Sequence, residues 1–403
     1  MNFALSDEQV LLREAARGSL SRINTIEAAR AALEDPAALP DLWPMATEAG
    51  WPGLLVGEEH GGAGLGAFDA LLVAEECGRV LASVPLLGQL PASAILDAAG
   101  DETLEAVASG ELRPAYVPAR PPGDHETGWT VEATSGFARA AAPRASRNGN
   151  GGDDRDVVTL DGEVAFVPDA SGAGLLVAIG VDSEGEPVAV TLDPGADGVS
   201  VTPLVRYDAT RPLAHVTFSG ARGRRLDIDA GVPADAWYLA HALIAAESIG
   251  AVQTCLDTSV AYAKERFTFG RAIGSYQAIK HELTEVLRRL ENARGLQYYA
   301  GWARASAPDE FPLAASAARS AAGGALDFAA RAMINVHGGI GATWEHDAPL
   351  FFRRAQLSRR LLAGTHDATD RVAERTMSAA LAGTGGAATT AAATTATTAT
   401  AAT

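Results

Sequence analysis

Five apolar residues, Ile279, Leu283, Val286, Leu290 and Ala293, recur at alternating spacings of four and three. That spacing lines them up on one side of a helix, and so long a stripe needs a neighbouring helix packed against it in antiparallel-bundle fashion. The helical pattern runs from about Val232 to Ala382, with a connection expected at Asp309 to Pro312 before an alanine-rich helix that reaches Val336. Any fold for this chain must therefore contain a C-terminal unit of long helices.

Two other textures precede it. From Ser6 to about Glu111 the pattern is also helical: Ser6-Asp7-Glu8-Gln9 suits an N-cap, and Leu11, Leu12 and Ala15 follow at helical spacing. Between Leu112 and Arg225 short β-branched runs alternate with Gly, Pro and Asp, among them 157–160, 175–179, 188–192 and 215–218, which predicts a small β domain. The expected organisation is α+β: an N-terminal helical domain (1–111), a middle β domain (112–228) and a C-terminal helical bundle (229–382). The polar interval from Pro121 to Asp156 reads as a mobile loop. Residues 383–403 contain only Gly, Ala and Thr, and a tail without charge or large apolar groups is expected to stay disordered.

At 403 residues and 47% apolar content the chain can give each domain a real interior. Its 50 acidic against 32 basic side chains leave a net charge of −18, a field that repels phosphate backbones and anionic lipid. Nucleic acid and membrane are thus poor partners. The start MNFALSDEQ has no basic or apolar leader pattern, so a cytoplasmic location is expected. Cys77 and Cys255 lie far apart without metal-ligand spacing, and buried thiols are the expectation for both.

Three motifs carry chemistry. The segment from Lys264 to Gln277 offers Arg266, a guanidinium suited to a pyrophosphate, Phe269, a ring suited to a flat ring system, and Gln277, an amide that donates and accepts. A lone arginine at a helix end more often pairs with an acidic neighbour, and only the whole pattern favours binding. Asn335 and His337-Gly338-Gly339 form the second motif, since glycines let backbone amides approach a phosphate closely. His337 and His346 invite a catalytic reading, but histidines near turns are more often structural. The third is Gly364-Thr365, preceded by Ala363.

Together these motifs resemble the acyl-CoA dehydrogenase family, over most of residues 5–380. The loop Gly57-Glu58-Glu59-His60-Gly61-Gly62-Ala63-Gly64 is similar to another of its signatures, although a glycine cluster alone more often marks a turn. The resemblance implies FAD bound between subunits, removal of an α-proton from an acyl-CoA thioester and transfer of the β-hydride to the flavin, with electrons leaving through an electron-transfer flavoprotein. It implies FAD contacts from Arg266, Phe269, Gln277, Asn335, His337, Gly338, Gly339 and Thr365.

The departures are as informative. Most members carry a glutamate directly before the Gly-Thr pair, where this chain has Ala363. Others carry their base at the position matched by Ala240 and His241. Ala115 to Arg120 replaces the usual flavin-contacting motif, and Phe166 stands where a tryptophan would cover the ring. Glu247 is the nearby carboxylate, but two helical turns separate it from that second position, about 10 Å at 1.5 Å per residue. The expectation is a base-lacking subunit that grips the adenosine half of FAD in a heterotetramer with a related chain, as in heteromeric actinobacterial members, acting on a bulky acyl-CoA such as a steroid side-chain thioester. Two alternatives stand beside it: a self-sufficient homo-oligomer using Glu247, and a flavin-free scaffold.

Overall fold

Ser6 starts the first helix as its pattern requires: its hydroxyl accepts from Gln9 N–H while the Gln9 side chain accepts from Ser6 N–H, so two otherwise orphaned donors are satisfied. The computed structural model describes residues 4–119, 142–147 and 156–378. The N-terminal region holds α1 (Asp7–Ser21), α2 (Thr25–Ala31), α3 (Trp43–Glu48), α4 (Ala67–Arg79), α5 (Leu86–Ala98) and α6 (Leu104–Ser109). The β region follows as β1 (Pro114–Val117), β2 (Arg144–Arg147), β3 (Val157–Pro168), β4 (Leu175–Val181), β5 (Pro187–Leu192), β6 (Val199–Pro203) and β7 (Leu213–Arg225). The remainder comprises α7 (Val232–Glu265), a hairpin of β8 (Phe267–Thr268) and β9 (Arg271–Ala272), α8 (Gln277–Ser306), α9 (Phe311–His337), α10 (Ala348–Ser358) and a last helix, α11, over 364–378.

Four of the strands, β3, β4, β5 and β7, were legible as alternating runs, and with β2 they form a closed circuit of pairings: β4 to β5, β5 to β7, β7 to β3, β3 to β2 and β2 back to β4. Inside lies an apolar core with Val158, Leu160, Leu176, Val190, Val216 and Phe218. The Pro121–Asp156 interval needs correcting. Arg144–Arg147 is a strand that pairs with both β3 and β4, because two open strand edges flank it; residues 120–141 and 148–155 lie outside the described residues, as does 379–403 with the tail.

The stripe on α8 is buried as expected at Val286, Leu290 and Ala293, and it faces α7 and α9. The connection before α9 falls two residues earlier than the sequence suggested: it spans 307–310, with Pro308–Glu310 making one 3-10 turn, and Pro312 already sits in the first turn of α9. Proline is tolerated there because that N–H has no helical partner.

Helix α7 is long and apolar enough to cross a bilayer, yet 89% of its apolar window is buried within the fold. It is a core helix. It crosses α4 at two glycines: a Cβ on Gly78 would fall 2.0 Å from the Glu247 carbonyl, and one on Gly250 1.9 Å from that of Glu75. Buried Glu76 receives a bidentate contact from Arg17 of α1 at 2.8 and 3.0 Å, and Glu75 pairs with Arg294 of α8 at 3.3 Å. Gly88 of α5 donates to buried Asp169 at the end of β3 at 2.8 Å, tying the helical and β regions together. Both cysteines are free and buried.

Candidate functional site

Two separate regions of the molecule carry the sequence motifs. The first lies where α7 ends. Phe269 and Gly270 both have positive φ, 51° and 79°, and form the two-residue turn of the β8–β9 hairpin, a backbone that suits a right-twisted hairpin. Phe269 is 97% exposed at the tip. Arg266, where the backbone leaves α7, and Gln277, the first residue of α8, are exposed as well. Among the described residues the Arg266 guanidinium has no ion-pair partner, so the alternative of a helix-end salt bridge is not what the chain builds.

Asn335, His337, Gly338 and Gly339 close the same end of the bundle. Asn335 donates to Glu282 of α8 at 3.3 Å, and the buried His337 ring stacks on Tyr262, one turn before Arg266, at 4.3 Å. Gly338 has φ 63° and ψ −138°, a combination that glycine alone adopts freely. A Cβ on Gly338 or Gly339 would meet nothing within 4 Å, so this backbone faces open space. Exposed Ile340 and Trp344 continue the surface. Arg30 reaches across from α2 to bond the carbonyls of Trp344 and His346 and to pair with Asp347.

Thr365 is not part of this cluster. It packs against α9 at Gly323, where a Cβ would lie 2.7 Å from its hydroxyl oxygen. Gly323 precedes Asn335 by twelve residues, about 18 Å along the helix.

Thr365 instead belongs to the second region, a turn in which Leu362, Ala363 and Gly364 have φ of 48°, 61° and 83°. Two side chains pin the segment before it. Buried Arg319 donates to the carbonyls of Ser358 and Leu361, and His241 Nε2 donates to the carbonyl of Leu362 at 3.0 Å. Thr365 adds bonds from its N–H and hydroxyl to the Arg359 carbonyl, at 3.0 and 3.1 Å. Burial drives the Arg319 guanidinium down to about 9, with Arg211 adding to the effect. Trp237 and Tyr238 pack on the His241 ring at 5.0 and 6.0 Å.

Glu247 lies in a buried cluster of charges. It pairs with Arg211 on the segment between β6 and β7, and lies 4.0 Å from Arg354 of α10, all three side chains being buried. Arg354 also donates to Asp208 at 2.9 Å. Its main partner thus comes from the β region, with Arg354 of α10 as the more distant second. Phe166 sits at a bulge of β3 with φ 57° and meets His215 edge-on at 4.9 Å.

Comparison with known proteins agrees with this architecture. The N-terminal domain model of acyl-CoA dehydrogenases matches residues 6–118 and the C-terminal domain model residues 234–393. The acyl-CoA dehydrogenase IpdE2 of Mycobacterium tuberculosis is 33% identical over 368 residues, covering 91% of this chain and 96% of its own. The chain belongs to the acyl-CoA dehydrogenase family. Its fold is the acyl-CoA dehydrogenase fold, shared with the Tcur3481-Tcur3483 steroid ACAD variant (TM-score 0.80, 25% identity, 93% and 99% of the two chains covered). The ChsE4-ChsE5 complex from Mycobacterium tuberculosis matches with TM-score 0.78 at 21% identity over 94% and 99%. Within this family framework, the sequence reading missed Tyr262, Arg30 and Arg319. Tyr262 could have been found, because it precedes Arg266 by four residues and shares its helix face.

Proposed function

We propose that this chain is one subunit of an FAD-dependent acyl-CoA dehydrogenase that introduces an α,β double bond into an acyl-CoA thioester, and that a related partner subunit supplies the base. The observation that carries this reading is the second region: neither Ala363 nor the Ala240–His241 pair offers a carboxylate. Removing the weakly acidic α-proton requires a positioned base, and its loss costs orders of magnitude in rate.

The first region fits the adenosine half of FAD. Exposed Arg266 can bind the pyrophosphate, Phe269 can cover a flat ring, Gln277 and Asn335 can hydrogen-bond, and the open backbone at Gly338 and Gly339 admits a phosphate. When bound, FAD supplies the ring that accepts the hydride. A cluster this exposed is complementary to a ligand held jointly with another chain, and the complex named ChsE4-ChsE5 is a precedent for pairing unlike chains. The similarity to a protein described as a steroid ACAD supports a bulky, ring-bearing acyl group. The family resemblance supports an electron-transfer flavoprotein as acceptor and a cytoplasmic setting.

The test is co-purification with a related chain that carries Glu at the position matching Ala363 or Ala240, followed by FAD stoichiometry and acyl-CoA oxidation. Arg266→Ala should strip FAD from the complex. Retained FAD would favour a scaffold instead, and full conversion of a saturated thioester by the lone chain would overturn the reading.

A further inference from the structure

Tyr262, His337 and His346 form a column of three rings, at 4.3 Å between the first pair and 4.2 Å between the second. The column joins α7, the end of α9 and the segment before α10, and Gly338-Gly339 follows directly from its middle ring. Hydrogen bonds fix where the protons sit. His337 Nδ1 lies 2.7 Å from the Met333 carbonyl, which only accepts, so this nitrogen carries a hydrogen. His346 Nδ1 accepts from Ala348 N–H at 3.0 Å, so this nitrogen is bare. Ala348 opens α10, and its N–H is one of those with no partner inside the helix. A second proton on His346 would set donor against donor and remove that partner.

We propose that Tyr262 and His346 are positioning residues for the Gly338-Gly339 turn, and that protonation of His346 in mild acid releases it. The proposal rests on the reading of this turn as a cofactor cradle. The titratable and charged groups around His346 are the His337 ring, itself stacked on the Tyr262 phenol from α7, Arg30 from α2, and Asp347 from the loop itself. Arg30 and the His337 ring oppose a proton on His346. Asp347 favours one, but its carboxylate is already paired with Arg30. Burial lowers the His346 imidazole, with His337 next in effect. With the folded value depressed, the neutral ring's contribution is complete above about pH 6.5 and is lost as the pH falls below it.

Hydrogen exchange on the full chain, corrected for intrinsic rates and read over residues 338–348 from about pH 5 to pH 8, tests this without cofactor. Protection in the native sequence should fall roughly tenfold in acid while α4 and α7 stay protected. Tyr262→Phe should retain the stack and the profile, and Tyr262→Ala should lose protection at every pH. His346→Asn keeps an acceptor for Ala348 N–H but does not titrate, so its profile should be flat. A pH-independent native profile, or an acid limb that survives in His346→Asn, would overturn the proposal. If Tyr262→Ala unfolds globally, the Tyr262→Phe and His346→Asn profiles still decide. In the FAD-loaded complex, Arg266→Ala separates the two ideas: FAD retained by that variant would refute the cradle reading and leave the exchange result standing.

Discussion

His241 Nε2 donates to the carbonyl of Leu362 at 3.0 Å, and this one bond joins the two positions at which the sequence resemblance implied a catalytic base. Ala240 and His241 represent the first, Ala363 the second. In this chain the contact is structural, because the imidazole spends its proton on a buried carbonyl. His241→Ala should therefore destabilise the fold by about 1–3 kcal/mol, the cost of leaving that carbonyl without a donor, and more once the lost ring packing is added. His241→Gln, which can still donate, should lose less. Urea unfolding of the three proteins checks the order.

Glu247 gives the sharpest discrimination between a structural and a catalytic carboxylate. It neutralises buried Arg211, so Glu247→Gln should cost about 3–5 kcal/mol by stranding a buried charge. In the assembled complex, FAD reduction by substrate should persist at temperatures where the variant is folded. Stability lost with chemistry retained is the expected pair of results. Chemistry lost in a fully stable variant would make Glu247 the base.

Phe269 predicts the reverse behaviour. At 97% exposure its replacement by Ala should change the stability of the isolated chain by less than about 0.5 kcal/mol. The same substitution should weaken FAD retention in the complex, read as flavin lost during gel filtration.

Asp169 supplies a pH signature. Burial pushes its carboxyl up to about 6 from an ordinary 3.8, against the opposing pull of Arg211 and the Gly88 N–H. A carboxyl with a raised folded value binds its proton more tightly in the native state, so its contribution is greatest below about pH 4 and is lost as the pH rises through 6. Relative to Asp169→Asn, which keeps an acceptor for Gly88, the native chain should lose up to about 3 kcal/mol between these limits. Parallel stability profiles would show that Asp169 does not titrate as described.

Legibility followed the range of the interactions. The α8 stripe, the Ser6 cap and four of the β strands are periodic within a few residues, and periodicity is what a sequence displays. Strand β2 is polar and four residues long, and it exists because β3 and β4 offer edges to pair with. The Arg211–Glu247 pair spans 36 positions, and nothing near either residue announces the other. Leu362 and Ala363 give no hint of positive φ, since neither residue favours it; tertiary bonds from Arg319 and His241 hold them there. The motif residues Arg266, Gln277, Asn335 and Gly338 were visible by type, but the separation of Thr365 from them depends on the course of α9.

The left-handed turn at 362–364 is fastened by bonds to its own backbone and from two distant side chains, none of which involves the methyl group of Ala363. No hydrogen bond that sets its shape depends on the side chain at 363, whose methyl packs half-buried against the core. An acidic side chain introduced at 363 would meet a hydrogen-bond frame already in place, so the substitution would alter one side chain and its core contact and leave the backbone fastenings intact.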